Sequence, residues 1–250
     1  MSKVAYNNFA LNLSRVNLKL FYKVFLLLSL QIFFSAAFAK NACLDKQLKI
    51  VAIGDSITQG GGKPDEYTYR LPLSKLLKDA GYNVDFIGTQ RSGLDKSFKW
   101  PAGFDNDHEG FYGQSASLVA QKLKTDLIKL PAPDFALIHL AGCGCNASNV
   151  IQSVVMPMRS IISQLRKRNP KVHILISEIH VNTFRVKYIR LYLKLLAKYE
   201  STVTSPVITV PDYVGWTSSD TLDGMHPSLS GQEKMAKAWF KNINSLCSSG

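Results

Sequence analysis

The sequence predicts an α/β protein: a three-layer α/β/α sandwich with a five-stranded parallel sheet, of the flavodoxin-like kind. Two observations carry this prediction. Short apolar runs rich in β-branched residues alternate along the chain with segments whose apolar residues recur at helical spacing. The clearest runs, such as 50–53 (IVAI) and 135–140 (FALIHL), are apolar throughout, which is typical of strands buried on both faces of a parallel sheet. Strict alternation of strand and helix favours right-handed crossovers between parallel strands.

The first 39 residues have the pattern of a secretory signal peptide. Four basic residues precede the apolar run 24–34, and Ala37 and Ala39 fit the small-residue pattern before a cleavage site. The run is shorter than the ~20 apolar residues that span a bilayer, so a permanent membrane anchor is not expected. We therefore expect a mature chain of 211 residues beginning at Lys40, a single domain over 40–250, and a secreted (periplasmic or extracellular) protein.

Five strands and five helices follow in order. The predicted strands are 50–53, 83–87, 135–140, 172–176 and 207–210. The predicted helices are 69–80, 115–130, 149–168, 186–199 and 230–243. Gly81 ends the first helix, Pro157 should kink or break the third, and Ser228 or Ser230 should cap the last.

A long polar stretch, 88–113, interrupts this alternation. Loops longer than about 15 residues are usually either functional or disordered. This one contains five aromatic residues, among them Trp100 and Tyr112, and that many aromatic side chains need a surface to pack on. We therefore predict an ordered loop that forms a wall of the functional site.

Charge does not indicate a nucleic-acid partner. The whole chain has a formal net charge of +12, and removing the four basic residues of the leader leaves +8. The basic residues are dispersed, and their densest group, 166–168, ends a helical segment, where cations offset the helix dipole. Without a binding motif beside it, such a group is expected to be a solvated helix end.

The stretch 49–62 (KIVAIGDSITQGGG) places a small hydroxyl residue, Ser56, directly beyond the first strand. Ligands of open α/β sheets bind at the carboxyl ends of the strands. A serine there is a nucleophile only if a base takes its proton. The sequence DGMHP at 223–227 offers a histidine, His226, with a carboxylate, Asp223, three residues before it.

These residues carry a resemblance. GDSIT at 54–58, Gly113 in DHEGFYGQS, and DGMHP at 223–227 resemble three sequence blocks of the SGNH, or GDSL-type, hydrolases. The likeness extends from Ile50 to about Ala238, most of the mature chain. YTYR at 67–70 and LDGMHPSLSGQEKMA resemble in particular the secreted SGNH carbohydrate esterases that remove acetyl groups from plant polysaccharides.

The resemblance implies roles for single residues. Ser56 would attack the ester carbonyl, His226 would be the general base and then the general acid, and Asp223 would hold the imidazole. Asp55, Arg70 and Tyr112 are the candidate substrate-binding residues. For Arg70, the alternatives are a buttress of the nucleophile loop and a cap at the start of a helix.

The oxyanion hole is where the chain departs from the family. Ser56 and Gly113 match the two backbone donors, but the third donor is usually the asparagine of a GxND motif. This chain reads AGCGCN at 141–146, so the position holds Cys143 without a gap or Gly144 after a shift of register. Asn146 is the remaining candidate, provided the loop bends differently. Losing one such donor typically lowers kcat by ~10²–10³-fold.

The chain has four cysteines, which could form disulfides or bind a metal ion. Cys43 lies before the first strand and Cys247 after the last helix, so a disulfide between them could join the termini in an oxidising compartment. His139 with Cys143 and Cys145 lacks the usual CxxC spacing, and small residues lining a tight loop are the favoured interpretation. We expect neither a metal nor a cofactor.

Taken together, the residues and the resemblance predict a secreted, monomeric serine ester hydrolase that removes small acyl (acetyl) groups. The expected partner is a small-molecule or polysaccharide ester, with no nucleic acid and no stable membrane anchor. Two alternatives with the same catalytic residues are a lipolytic or lysophospholipid esterase and a thioesterase. A third is a catalytically impaired, glycan-binding protein of the same fold, because the GxND block is not matched.

Overall fold

In the computed structural model, a parallel sheet lies between two layers of helices. The structure describes residues 41, 43–140, 149–180 and 186–248. The strands are β1 (Gln47–Gly54), β2 (Asn83–Ile87), β3 (Glu109–Gly110), β4 (Phe135–His139), β5 (His173–Ser177) and β6 (Val207–Val210). The helices are α1 (Ser56–Gln59), α2 (Arg70–Asp79), α3 (Ala116–Lys129), α4 (Met156–Arg168), α5 (Val186–Glu200) and α6 (Leu229–Ser248).

The strand order is β2-β1-β4-β5-β6, and every pairing is parallel. The chain moves outward from β1 to β2 and then returns to place β4 on the other side of β1. This reversal makes the carboxyl ends of β1 and β4 the point where an open sheet of this kind binds its ligand. The predicted fold class is confirmed.

The sheet has six strands where five were predicted. The extra strand, β3, has two residues and pairs with Ile53 and Gly54 at the end of β1. It lies inside the long loop, which the structure describes in full. Ring contacts of 4.9 Å between Phe98 and Trp100 and 5.6 Å between Trp100 and Phe104 pack the loop's aromatic side chains on one another.

Alternating side chains of the central strands build a core on each face of the sheet. Val51 and Ile53 of β1 pack with α3, α4 and α5, whereas Leu48 and Ile50 pack with α2 and α6. Strands buried on both faces require this uniformly apolar sequence. None of the helices that the structure describes is both long enough and apolar enough to span a bilayer.

The helix ends follow the sequence closely. The Ser115 hydroxyl accepts a hydrogen bond from the N–H of Leu118 and caps α3. Ser228 precedes α6 and caps it. Pro157 marks a break, because a π-helical turn at Ile151–Val155 gives way to α4 at Met156. The predicted leader, 1–39, lies outside the described residues.

Candidate active site

Ser56 is presented at the end of β1 by a tight strand-to-helix turn. It is the first residue of the four-residue helix α1, and the Asp55 carboxylate caps that helix by accepting from the N–H of Ile57 at 3.2 Å. The backbone here needs a glycine, because a Cβ at Gly54 would lie 2.4 Å from the carbonyl oxygen of His139. Close contact between β1, α1 and β4 therefore determines where the Ser56 hydroxyl lies.

Ser56, His226 and Asp223 form a continuous hydrogen-bonded chain. Ser56 Oγ lies 3.0 Å from His226 Nε2, and His226 Nδ1 lies 2.8 Å from Asp223 Oδ2. Ser56 and His226 are 170 positions apart in sequence, and the structure brings them together. With Nδ1 protonated and held by the carboxylate, Nε2 has a free lone pair facing the hydroxyl, as a general base requires.

The turn that carries His226 is fixed by the same carboxylate. Asp223 Oδ1 accepts from the backbone N–H groups of Met225 at 3.1 Å and His226 at 2.8 Å. An antiparallel bridge between Thr221 and Pro227 closes the base of the turn. The Asp223 side chain thus sets both the backbone and the imidazole of His226.

Lys63 adds a charge to this arrangement that the sequence did not indicate. Its Nζ lies 2.5 Å from Asp223 Oδ2, the oxygen that also faces His226. Partial burial works to raise the pKa of Asp223, but hydrogen bonds from Lys63 and His226 outweigh it, and the pKa lies well below its usual range. The carboxylate raises the pKa of Lys63 in turn. Asp223 is therefore held ionised between two cation-forming partners.

Tyr112 and Glu66 border the same imidazole. The Tyr112 ring stacks on His226 with centroids 5.6 Å apart, and its Oη lies 3.3 Å from Nε2. Glu66 is almost fully buried and accepts from the N–H of Gly62 at 3.1 Å. Burial raises the pKa of Glu66, while the nearby His226 lowers it. The sequence motifs did not single out Glu66. The only sequence feature that could have indicated it is its position directly before the YTYR stretch.

The predicted oxyanion donors lie only partly within the described structure. Ser56 begins α1, and Gly113 follows Tyr112 in an exposed turn with a φ of +71°. The N–H of Tyr112 donates to the Gln59 side chain at 2.7 Å, which ties this turn to α1. Asn146, the predicted third donor, falls outside the described residues together with the rest of 141–148.

Arg70 occupies the buttressing position and not the predicted substrate-facing one. Its side chain is fully buried, and burial lowers its pKa to about 10. The guanidinium donates to the carbonyl oxygens of Thr58, Gln59 and Asp107 at 3.0–3.4 Å. Arg70 thus ties α1 to the long loop. Asp55 is likewise buried under α1 as a cap, so neither side chain offers a surface to substrate.

Replacing Arg70 by methionine should destabilise the fold. The change keeps an apolar stem but leaves three buried carbonyl oxygens without their donor, and we expect the free energy of unfolding to fall by ~2–4 kcal/mol. Urea unfolding measures this. Arg91→Met is the matched control, because Arg91 pairs with Asp107 from an exposed position, where such pairs contribute ~0–1 kcal/mol. Equal midpoints for the two variants would contradict the buttressing role.

A second histidine–carboxylate cluster lies behind Ser56. His139 ends β4, His180 follows β5 and Asp212 follows β6, and all three are buried. His139 Nε2 lies 3.8 Å from Asp212 Oδ2, and His139 Nδ1 lies 3.9 Å from Asp55 Oδ1. Burial lowers the pKa of His139 to about 3 and raises that of Asp212 to about 7. The Ser56 hydroxyl bonds instead to His226, so this cluster is distinct from the His226–Asp223 pair.

Comparison with known proteins shows the fold. No protein-family model matches the chain. It is 29% identical over 226 residues to a multidomain esterase of Ruminococcus flavefaciens, a match that covers 78% of this chain but only 28% of that longer protein. Its structure is similar to a family 3 carbohydrate esterase of Talaromyces cellulolyticus (TM-score 0.70, 22% identity, covering 81% of this chain and 99% of the other). The structure is also similar to a family 3 carbohydrate esterase of Clostridium thermocellum (TM-score 0.65, 24% identity, covering 81% of this chain and 100% of the other).

Proposed function

We propose that this chain, which has the fold of the SGNH or GDSL-type hydrolases, is a secreted serine esterase that removes small acyl groups, chiefly acetyl, from carbohydrate. The observation that carries the proposal is the hydrogen-bonded chain from Ser56 Oγ through His226 to Asp223. It lies at the sheet edge where ligands of this fold class bind. The names of the relatives, a multidomain esterase and two carbohydrate esterases, support the choice of substrate class.

The proposed reaction has two steps, acylation of Ser56 and hydrolysis of the acyl-enzyme. His226 Nε2 takes the Ser56 proton as Oγ adds to the ester carbonyl, and the tetrahedral oxyanion is held by backbone N–H groups, for which Ser56 and Gly113 are the candidates. The intermediate collapses as Nε2 returns the proton to the departing sugar oxygen, leaving an acetyl-serine. Water then attacks in the same way, giving acetate and free Ser56.

Two features support secretion. The leader pattern at 1–39 predicts export, and the disulfide between Cys43 and Cys247 is of the kind that persists in oxidising compartments. We expect the protein recovered outside the cytoplasm to begin at Lys40. N-terminal mass spectrometry of that protein checks this, and an intact leader in it would contradict it.

Ester hydrolysis should depend on the Ser56 hydroxyl. We expect the wild-type protein to release acetate from acetylated xylan and from nitrophenyl acetate, and Ser56→Ala to lower kcat by at least ~10⁴-fold. Long-chain nitrophenyl esters, a lysophospholipid and an acyl thioester complete the panel. Equal rates for wild type and variant would show an inactive, binding protein. Faster cleavage of long acyl chains than of acetyl would overturn the carbohydrate assignment.

Lys63 should keep the pKa of Asp223 low. Its ammonium donates to Asp223 Oδ2, the oxygen that also faces His226, and this hydrogen bond lowers the pKa of the carboxyl. In Lys63→Met the hydrogen bond is lost, and the pKa of Asp223 should rise towards its ordinary value, which NMR titration of the carboxyl carbon measures.

Lys75→Met is the matched control, because Lys75 is an exposed lysine paired with Asp79 on α2. It should leave the pKa of Asp223 unchanged. Because Lys63 is half exposed, the difference between wild type and Lys63→Met should shrink as salt rises. An unchanged or lower pKa of Asp223 in Lys63→Met would contradict this role.

A further inference from the structure

We propose that His139, His180 and Asp212 form a binding site for one divalent transition-metal ion, of which Zn²⁺ is the model. The proposal concerns binding alone and does not depend on the esterase function. The three residues end, or directly follow, the adjacent parallel strands β4, β5 and β6. One ligand atom from each lies within 4.8 Å of the other two. Two imidazoles and a carboxylate are a ligand set that suits zinc and its neighbours among the transition metals.

Several polar atoms of these three side chains are buried and lack partners. Among the described residues, both ring nitrogens of His139, Nδ1 of His180 and Oδ1 of Asp212 accept or donate no hydrogen bond. Buried polar atoms are nearly always satisfied, so several orphaned atoms gathered at one place require an explanation. A bound cation would satisfy all of those that point into the cluster.

Outer contacts already orient two of the three ligands. His180 Nε2 lies 2.7 Å from the carbonyl oxygen of Met225, which can only accept, so Nε2 carries the proton and Nδ1 presents its lone pair. Ser177 Oγ donates to Asp212 Oδ2 at 2.7 Å and accepts from the N–H of Ile179 at 2.9 Å. Metal-binding histidines and carboxylates in proteins are held in just this manner.

The separations favour a metal ion over direct hydrogen bonds. His139 Nε2 and Asp212 Oδ2 are 3.8 Å apart, which is too long for a hydrogen bond. Ligands bound to one tetrahedral ion at ~2.0–2.1 Å lie ~3.4 Å from each other, so modest closing would complete the site. A bridging water molecule is the competing occupant.

Charge also favours a cation. Asp55 and Asp212 are both buried, and within the described part of the chain the ion-pair distances of these two carboxylates are to His139 alone. Burying carboxylates is costly unless a positive charge or proton accompanies them. A divalent ion beside Asp212 would supply that charge. It would also fix His180, whose bond to Met225 holds the residue next to His226, so the ion would brace the turn that carries the proposed base.

These ligands differ from those that the sequence suggested. The spacing drew attention to His139 with Cys143 and Cys145, whereas the carboxylate and second imidazole come from strands that follow much later in the chain. The experiment must therefore exclude the two thiols. It uses the full chain carrying C143S/C145S, freed of metal by dialysis against a chelator.

Titration with Zn²⁺ by calorimetry, and with Co²⁺ by visible absorption, tests the site. We expect one ion per chain, with d–d bands from nitrogen and oxygen ligands, and a rise in Tm on addition of Zn²⁺. Asp212→Asn and His180→Phe each remove one ligand, and the second keeps the stacking of this ring on Trp216. Both should weaken binding at least ~100-fold, which exceeds the usual effect of a change in the outer contacts.

His173→Gln is the matched control, because His173 begins β5, whereas Ser177 and the cluster residue His180 lie at and beyond its opposite end. It should bind Zn²⁺ as the parent does. Ser177→Ala keeps all three ligands and should bind ~10–100-fold more weakly, so it tests the site even if a ligand variant fails to fold. No saturable binding, or equal affinity in parent, Asp212→Asn and Ser177→Ala, would overturn the proposal and leave water as the occupant.

Discussion

His226→Asn is expected to lower kcat/KM for nitrophenyl acetate by ~10⁴-fold or more. Asparagine can accept the hydrogen bond of Ser56 Oγ, but it cannot take the proton at neutral pH. It also returns no proton to the leaving group. Both halves of the proposed reaction need that transfer, so the loss falls on kcat more than on KM. Steady-state kinetics over a range of substrate concentrations measures kcat and KM separately.

The test of a shared role is the double variant. If Ser56 and His226 act as one unit, Ser56→Ala/His226→Asn should be no slower than the worse single variant. His173→Asn serves as the control for a histidine outside the site. A loss below ~10-fold in His226→Asn, or additive losses in the double variant, would show that the 3.0 Å contact is structural only.

The fold was predictable because its main elements are encoded locally. The run 50–53 is apolar on both faces, Ser115 caps a helix directly, and Pro157 breaks one. β3 was not predictable. Two residues, Glu109 and Gly110, carry no periodicity, and they form a strand only because the end of β1 offers free pairing groups in the folded sheet.

Some residues of the candidate site were likewise predictable from the sequence, and others were not. Ser56, Asp223 and His226 lie in short stretches whose residue types state their chemistry. Lys63 was missed because its contact with Asp223 spans 160 residues and exists only after folding. For Arg70 the sequence predicts a substrate-facing role, because a lone arginine in sequence does not reveal its burial. Only tertiary structure distinguishes a guanidinium bound to backbone carbonyl groups from one that faces a ligand.

Replacing both cysteines of the disulfide, Cys43→Ala/Cys247→Ala, should lower stability strongly. The structure resolves the pairing that the sequence left open: the two Cα atoms are 5.4 Å apart, across a separation of 204 residues. Cross-linking so long a segment restricts the unfolded chain strongly. Removing the link should cost ~3–5 kcal/mol in the free energy of unfolding.

At ~2–4 °C per kcal/mol for a domain of this size, Tm should fall by ~6–20 °C. Cys247 is buried in the core on the face of the sheet that α2 and α6 cover, so part of any loss in the double variant comes from the missing sulfur atoms. Wild type reduced by a thiol keeps those atoms and isolates the effect of the cross-link. We expect reduced wild type to unfold a few degrees above the double variant and well below the oxidised protein. If reduction leaves Tm unchanged, opening the disulfide adds no freedom to the unfolded chain, and the cross-link does not stabilise the fold.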